Sequence, residues 1–230
     1  MVRSKTAIIL GASGLVGNSL LEILLENPVY DKVIAFVRTS LDVLHHKLET
    51  HVIDFDKPDS YNHLVKGDEL FCCLGTTIKK AGSQKAFKKV DYKYPVRFAE
   101  MAKTNGVKQY LLVSSIGADS DSSIFYLRIK GKCEDAIRRM GIVSVSIFRP
   151  ASLSGDRKEF RLGEKISLAF LKTFSFALAG RFAKYKPIEA SRVARTMFEV
   201  AQCPKAGCTV YESDEIQNGH LPADNTLEQL

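Results

Sequence analysis

Apolar residues come in short blocks along this chain, and the blocks follow two spacing habits. "TAIIL" (6–10), "KVIAFV" (32–37), "HVIDF" (51–55), "ELFCCLG" (69–75), "QYLLVSS" (109–115) and "VSVSIF" (143–148) are runs of strand length. Between them, apolar positions recur every three or four residues. Leu15, Val16, Leu20, Ile23 and Leu24 do so over 15–26, and Phe87, Val90, Tyr94, Phe98 and Met101 over 84–104; a further helical segment covers 124–140. The first habit predicts strands buried on both faces, the second predicts amphipathic helices. Their alternation predicts parallel strands joined by right-handed crossovers. The expected architecture is α/β, a doubly wound parallel sheet with helices on both faces. A loop with at most one turn of helix is expected between the second and third strands. After Pro150 the alternation weakens. Helices are expected over 164–180 and 189–201, and "CTVYES" (208–213) as a last strand. The polar end, "NGHLPADNTLEQL", is expected to be mobile.

Composition changes this picture little. The chain has 230 residues, 45% hydrophobic and 26% charged, which suits one globular domain over 1–230. Five cysteines, Cys72, Cys73, Cys133, Cys203 and Cys208, show no C-x-x-C spacing, so neither a disulfide framework nor a metal site is expected. A reducing compartment follows. The start, "MVRSKTAIIL", has too short an apolar run for a signal peptide, and no 18 apolar residues run together. The expectation is a cytoplasmic protein without a transmembrane segment. The formal charge of +7 admits nucleic acid, an anionic membrane or an anionic cofactor. The lysines are scattered, and no zinc-finger or RNP pattern occurs, so no specific nucleic-acid partner is expected.

The chemistry begins at "ILGASGLVGNSLLEILLE", residues 9–26, where three glycines stand three apart between the first strand and the first helix. Gly11 suits a sharp turn, Gly14 lets a pyrophosphate approach the backbone, and Gly17 allows helix and sheet to pack closely. The helix N-terminus offers free N–H groups and the positive end of a dipole. The second strand ends in "FVRTS". Arg38 stands where a carboxylate would bond a ribose hydroxyl, and a guanidinium suits a 2′-phosphate. NADP(H) is therefore favoured, with NAD(H) as the alternative. Asp54 and Phe55 end the third expected strand, where an aspartate can meet the adenine amino group. "CLGTT" (73–77) ends the fourth, and Gly75, followed by Thr76, would let the backbone pass the nicotinamide ribose.

Tyr126 and Lys130 are four apart on an expected helix and share one side. A free tyrosine, with a pKa of about 10, is a poor acid–base group at neutrality. A nearby ammonium stabilises the phenolate. Ser114 and Ser115, at the end of the fifth strand, supply a hydroxyl for a substrate carbonyl, and the sequence leaves open which of them acts.

The segments "LGASGLVG", "CCLGTT", "KAG", "LLVSSIGAD", "FYLRIKG" and "FRPASLSGDR" together resemble the atypical short-chain dehydrogenase/reductases, and most closely the Tat-interacting-protein-like oxidoreductases. The likeness spans roughly residues 6–165 and is loose beyond. It implies a Rossmann fold, NADP(H) binding and a Ser-Tyr-Lys site. It carries Ser13, Gly14, Leu15 and Val16 to the phosphate loop and Arg38 to the adenosine phosphate. Leu74 and Gly75 go to the ribose, Tyr126 and Lys130 to catalysis, and Leu153 and Arg161 to further cofactor contacts. Pro150 and the residues after it would border the nicotinamide, with 151–230 forming the substrate side. Leu162, Ile166, Phe170 and Phe174 are candidate lining there or, alternatively, helix-packing core. Asp91 lies near where other branches place an asparagine in a proton relay. This chain has Thr39 where relatives have a second basic residue. The implied activity is hydride transfer with a small carbonyl or alcohol substrate. The alternative is an NADPH-responsive regulator with a protein partner, in which the charged run "GDRKEFRLGEK" (155–165) closes over the cofactor and Arg161 latches it.

Overall fold

The computed structural model describes residues 4–154 and 186–219. The chain opens with β1 (Lys5–Leu10), α1 (Leu15–Glu26), β2 (Tyr30–Val37) and β3 (Leu48–Val52). Two single 3₁₀ turns lead to β4 (Glu69–Cys72). Two short helices follow, α2 (Ile78–Ala81) and α3 (Gln84–Lys88). Then come a π-helical turn, Lys89–Lys93, and α4 (Tyr94–Thr104). The series β5 (Gln109–Val113), α5 (Phe125–Arg138) and β6 (Ser144–Arg149) completes the alternating part. A two-stranded parallel ladder pairs β7 (Leu153–Ser154) with β8 (Ile188–Glu189). The described chain ends with α6 (Ala190–Gln202), β9 (Gly207–Glu212) and α7 (Ser213–Asn218).

Seven strands form one sheet in the order β3-β2-β1-β4-β5-β6-β9, with every pairing parallel. The order reverses between β1 and β4, so a crevice opens at the carboxyl ends of these two strands. This is the Rossmann-like fold. Side chains alternate between two cores, as a pleated strand buried on both faces requires. Ala7 and Ile9 pack with Leu20, Leu24, Val193 and Met197 of α1 and α6, whereas Ile8 and Leu10 pack with Phe98, Cys133 and Ile137 of α4 and α5.

Several elements differ from the sequence reading. The third strand is Leu48–Val52 rather than 51–55. None of its residues is buried, because it is an edge strand without the apolar run that marks its neighbours. The apolar end of "HVIDF" does other work: Phe55 is buried beyond the strand against Tyr61, Tyr94 and Phe98. The long helix over 84–104 is interrupted by the π turn. Pro95 cannot donate a backbone hydrogen bond, and it falls in the first turn of α4, where none is needed. The helix α7 was not expected. It is held by a reciprocal capping box between Glu212 and Glu215. The helix expected over 164–180 lies outside the described residues.

Candidate functional site

The crevice is built by three loops at the carboxyl edge. In the first, Gly11 has φ +77° and a Cβ there would strike the Cys73 carbonyl oxygen at 2.6 Å. The loops after β1 and β4 therefore touch at the point where the strand order reverses, and Cys73 N–H donates to the Leu10 carbonyl at 2.9 Å. Gly17 packs against the same turn; a Cβ would come within 2.1 Å of the Gly11 carbonyl oxygen. Gly14 is the N-cap of α1. No side chain caps this helix and no acidic residue stands in its first turn, so its N–H groups and dipole face the crevice unneutralised. Ser13 is exposed, Gly14 and Leu15 are half-buried, and Val16 points into the core.

Arg38 is exposed directly beyond the end of β2. Asp54 is also exposed and accepts from the Asp56 N–H at 3.0 Å, while Phe55 is sealed in the aromatic cluster. In the loop after β4, Leu74 is half-buried, Gly75 is exposed, and Thr76 donates its N–H to Asp91 Oδ2 at 2.9 Å.

Asp91 is the centre of the arrangement. It sits on the π turn and is 1% exposed. Single π turns are common at functional sites because the extra residue turns a side chain inward. The Lys130 ammonium, 6% exposed, meets Asp91 Oδ1 at 2.9 Å as an ion pair, although not as a well-aligned hydrogen bond. A Cβ on Gly75 would lie 3.5 Å from Asp91 Oδ1 and 3.7 Å from Lys130 Nζ. The pair thus lies directly behind the exposed glycine. Burial disfavours the Lys130 ammonium, but Asp91 and then Tyr126 outweigh it and hold the group above the usual lysine range. Tyr126, one turn earlier on α5, is half-buried with its ring 5.6 Å from that of Phe87. Its hydroxyl has no hydrogen bond to a described residue. Burial raises the thiols of Cys72, Cys73 and Cys133, which keeps them protonated and un-nucleophilic.

The two serines part company. Ser114 Oγ donates to Glu134 Oε1, and Glu134 is 1% exposed. Arg149 grips the same carboxylate, with Nη2 at 2.6 Å from Oε2, and reaches Glu212 through Nη1 at 3.0 Å. Ser115 is half-buried, and the only hydrogen bond of its hydroxyl among the described residues is a 3.4 Å contact with the Ile116 carbonyl. The structure therefore commits the Ser114 hydroxyl to a buried network and leaves the Ser115 hydroxyl nearly uncommitted. Leu153 is half-buried on the small ladder that Pro150 leads into. Arg161, the run 155–165, and Leu162, Ile166, Phe170 and Phe174 lie outside the described residues.

Glu134 and Arg149 escaped the sequence reading. A signal existed: Tyr126, Lys130 and Glu134 repeat every four residues, so all three face the sheet's carboxyl edge. Among the described residues, no group of His, Cys, Asp and Glu could hold a metal, and no helix is long and apolar enough to cross a membrane.

A family model described as NAD(P)H-binding matches residues 11–204. The rat protein HTATIP2 is 35% identical over 210 residues, 90% of this chain and 85% of its own length. This chain belongs to the NAD(P)H-binding family. Within that family it is an atypical short-chain dehydrogenase/reductase. Protein FMP52, mitochondrial, of Candida albicans is 32% identical over 205 residues, 86% of this chain and 88% of that protein. Among solved structures, the Bordetella bronchiseptica enzyme WbmH in complex with NAD+ superposes with a TM-score of 0.70 at 16% identity, covering 92% of this chain and 76% of that one. The oxidoreductase ylbE from Lactococcus lactis gives 0.63 at 17% identity, covering 93% and 95%. These likenesses to solved structures concern the fold. The NAD(P)H-binding assignment gives the crevice its ligand class, and the uncapped helix, the exposed Gly75 and the buried ammonium behind it fit a dinucleotide.

Proposed function

We propose that the protein is an NADP(H)-dependent oxidoreductase that interconverts a small carbonyl compound and its alcohol. The observation that carries this reading is the buried Lys130 ammonium, paired with Asp91 behind Gly75 and one helical turn from Tyr126. The cofactor, when bound, supplies or accepts the hydride. Gly11, Ser13, Gly14, Leu15, Val16 and Gly17 form the phosphate seat, where N–H groups and the helix dipole meet negative charge. Arg38 selects the 2′-phosphate by charge and forked geometry. Asp54 and Phe55 border the adenine end and Leu74, Gly75 and Thr76 the nicotinamide ribose, and Leu153 and Arg161 are further cofactor contacts. Ser115 orients the substrate oxygen. Tyr126 gives or takes the proton there, and Lys130 stabilises its phenolate. The stretch 151–230 supplies the substrate side of a single domain. Five free thiols suit a reducing, cytoplasmic setting. Recovery in a mitochondrial fraction, where the names of the FMP52 relatives place those proteins, would overturn that location.

Titration with NADPH and NADH tests the cofactor assignment. NADPH is expected to bind more tightly. Arg38→Ala should weaken it by about 1.5–3 kcal/mol, the range for a hydrogen bond to a charged group, and barely change NADH. Equal affinity in the native protein would sink the role of Arg38. The reaction is tested with a carbonyl panel, on which Tyr126→Phe should bind NADPH normally yet lose about 10²–10⁴-fold in turnover. A variant with native turnover rules Tyr126 out.

A second reading, an NADPH-responsive binding protein with little turnover, is favoured by the Asp91–Lys130 contact itself. A carboxylate 2.9 Å from the ammonium cancels much of the field that would stabilise a phenolate. NADPH binding without any Tyr126-dependent turnover would make it the better reading.

A further inference from the structure

After Thr76 the chain does not enter a long helix directly. It makes two short ones, each started by a hydroxyl: Thr77 Oγ1 accepts from the Lys80 N–H, and Ser83 Oγ from the Ala86 N–H, both at 3.1 Å. Phe87 then anchors α3. It is fully buried, and its ring centroid lies 5.8 Å from that of Phe125 and 5.6 Å from that of Tyr126. The segment is therefore fastened to the first turn of α5, at the candidate acid–base residue.

Its charge is one-sided. Residues 77–93 contain six lysines and one acidic residue, Asp91, which Lys130 already holds. Lys89 pairs with Asp56 at 2.7 Å. Lys79, Lys80, Lys85 and Lys88 are exposed, and none meets a carboxylate of a described residue. Lys88 lies 5.8 Å over the Tyr92 ring, which leaves its charge uncancelled. Neither α2 nor α3 has an acidic residue in its first turn, where one would favour the helix. The loop 116–123 carries Asp119 and Asp121, and Asp119 Oδ1 accepts from the Asp121 N–H at 2.9 Å, within its own loop. An ordinary solvated face mixes both signs, since like charges close together destabilise the fold. Four uncompensated cations fastened beside a crevice instead raise the local concentration of an anion.

We propose that Lys79, Lys80, Lys85 and Lys88 form a rim that receives the anionic end of the substrate, so that the carbonyl compound handled at Tyr126 carries a phosphate or carboxylate away from its reacting carbon. This rests on the oxidoreductase reading of the same site. Binding is measured by calorimetry on the NADP+-loaded protein, in which an aldehyde cannot be reduced. The probes are two matched pairs: glyceraldehyde 3-phosphate with glyceraldehyde, and 4-carboxybenzaldehyde with its methyl ester. At low salt the anionic member of a pair should bind about tenfold more tightly, as several weak surface pairings add. The gap should close in about 1 M salt, where the screening length falls to about 3 Å. Replacing all four lysines by glutamine should erase it in a protein that still unfolds at the native temperature. The salt series on the native protein stands independently, should that variant fold poorly. Equal affinities overturn the proposal, as does the absence of measurable binding by every probe at millimolar concentration. Lysine-dependent adsorption to phosphatidylserine vesicles without discrimination within the pairs overturns it in favour of a membrane surface. Discrimination without Tyr126-dependent reduction on adding NADPH keeps the rim and sinks the oxidoreductase reading; reduction without discrimination does the reverse.

Discussion

The two edges of the sheet bury carboxylates in opposite ways. At the amino edge Glu69 is fully buried and its oxygens are all spoken for. Lys5 Nζ lies 2.5 Å and Gln109 Nε2 3.0 Å from Oε1, and the Tyr30 hydroxyl donates to Oε2. Tyr30 in turn accepts from Gln202 at 3.0 Å, and the knot ties β1, β2, β4 and β5 to α6. At the carboxyl edge Asp91 and Glu134 are as deeply buried, but the groups around them are left partly unused. Gly75 is exposed, the Ser115 hydroxyl has one long hydrogen bond, and the Tyr126 hydroxyl has none among the described residues. Buried charge by itself does not mark a site, since such groups are paired wherever they occur. What separates the edges is the unspent hydrogen-bonding capacity beside the charge.

Removing the carboxylates should separate stability from function. Glu134→Ala and Glu69→Ala each break a buried ion pair, which costs about 3–5 kcal/mol. Glu134→Ala should fall at the lower end, because Arg149 keeps Glu212. Denaturant unfolding reads both. Turnover per folded molecule should fall only in Glu134→Ala, since Ser114, which Glu134 holds, precedes Ser115 in the chain. Equal turnover in the two variants would mean that the Glu134 network serves packing alone.

The two tyrosines make the reverse contrast. Tyr30→Phe leaves Glu69 and Gln202 each short of a partner and should cost about 1–3 kcal/mol with no effect on turnover. Tyr126→Phe removes a hydroxyl without a described partner and should stay within about 0.5 kcal/mol of native stability. A stability loss in Tyr126→Phe as large as in Tyr30→Phe would show that its hydroxyl is structural after all.

How much of this could be read from the sequence depended on whether a signal was local. The glycine turn, the alternation of strands and helices and the Tyr126–Lys130 spacing were legible, because each is a short-range pattern: a spacing of three, an alternation, a spacing of four. Asp91 was visible only as a neighbour of a family position. What turns it inward is the π turn, and helical periodicity carries no mark of an inserted residue. Glu134 and Arg149 are 15 residues apart and meet only because α5 crosses back over β5 and β6. The third strand was misplaced because an edge strand has no buried run to announce it. The Glu69 knot joins five segments from Lys5 to Gln202, and no one of them is distinctive alone.

The smallest expected effect is a slope with pH, and it too distinguishes the edges. Burial is the largest influence on Glu69 and holds its carboxyl above the usual range, against the pull of Lys5 and Tyr30. A group whose folded pKa is raised contributes stability that is complete below its unfolded value, about 4.3 for glutamate, and is lost as pH rises through the folded value. Glu69 should therefore make the native protein progressively less stable from about pH 4.5 toward neutrality. Glu69→Gln cannot titrate, so its stability relative to native should improve over that range. Lys130 is also raised, but from a lysine value of about 10.4, so the stability that it contributes is constant through neutrality and is lost only in strong alkali. The native contribution of Lys130 therefore adds no slope between pH 5 and 8. Denaturant midpoints for the native protein and Glu69→Gln, taken across this range, read the difference. A native curve with the same slope as Glu69→Gln would mean that Lys5 holds the buried carboxylate charged throughout, and that the amino edge is as insensitive to pH as the other.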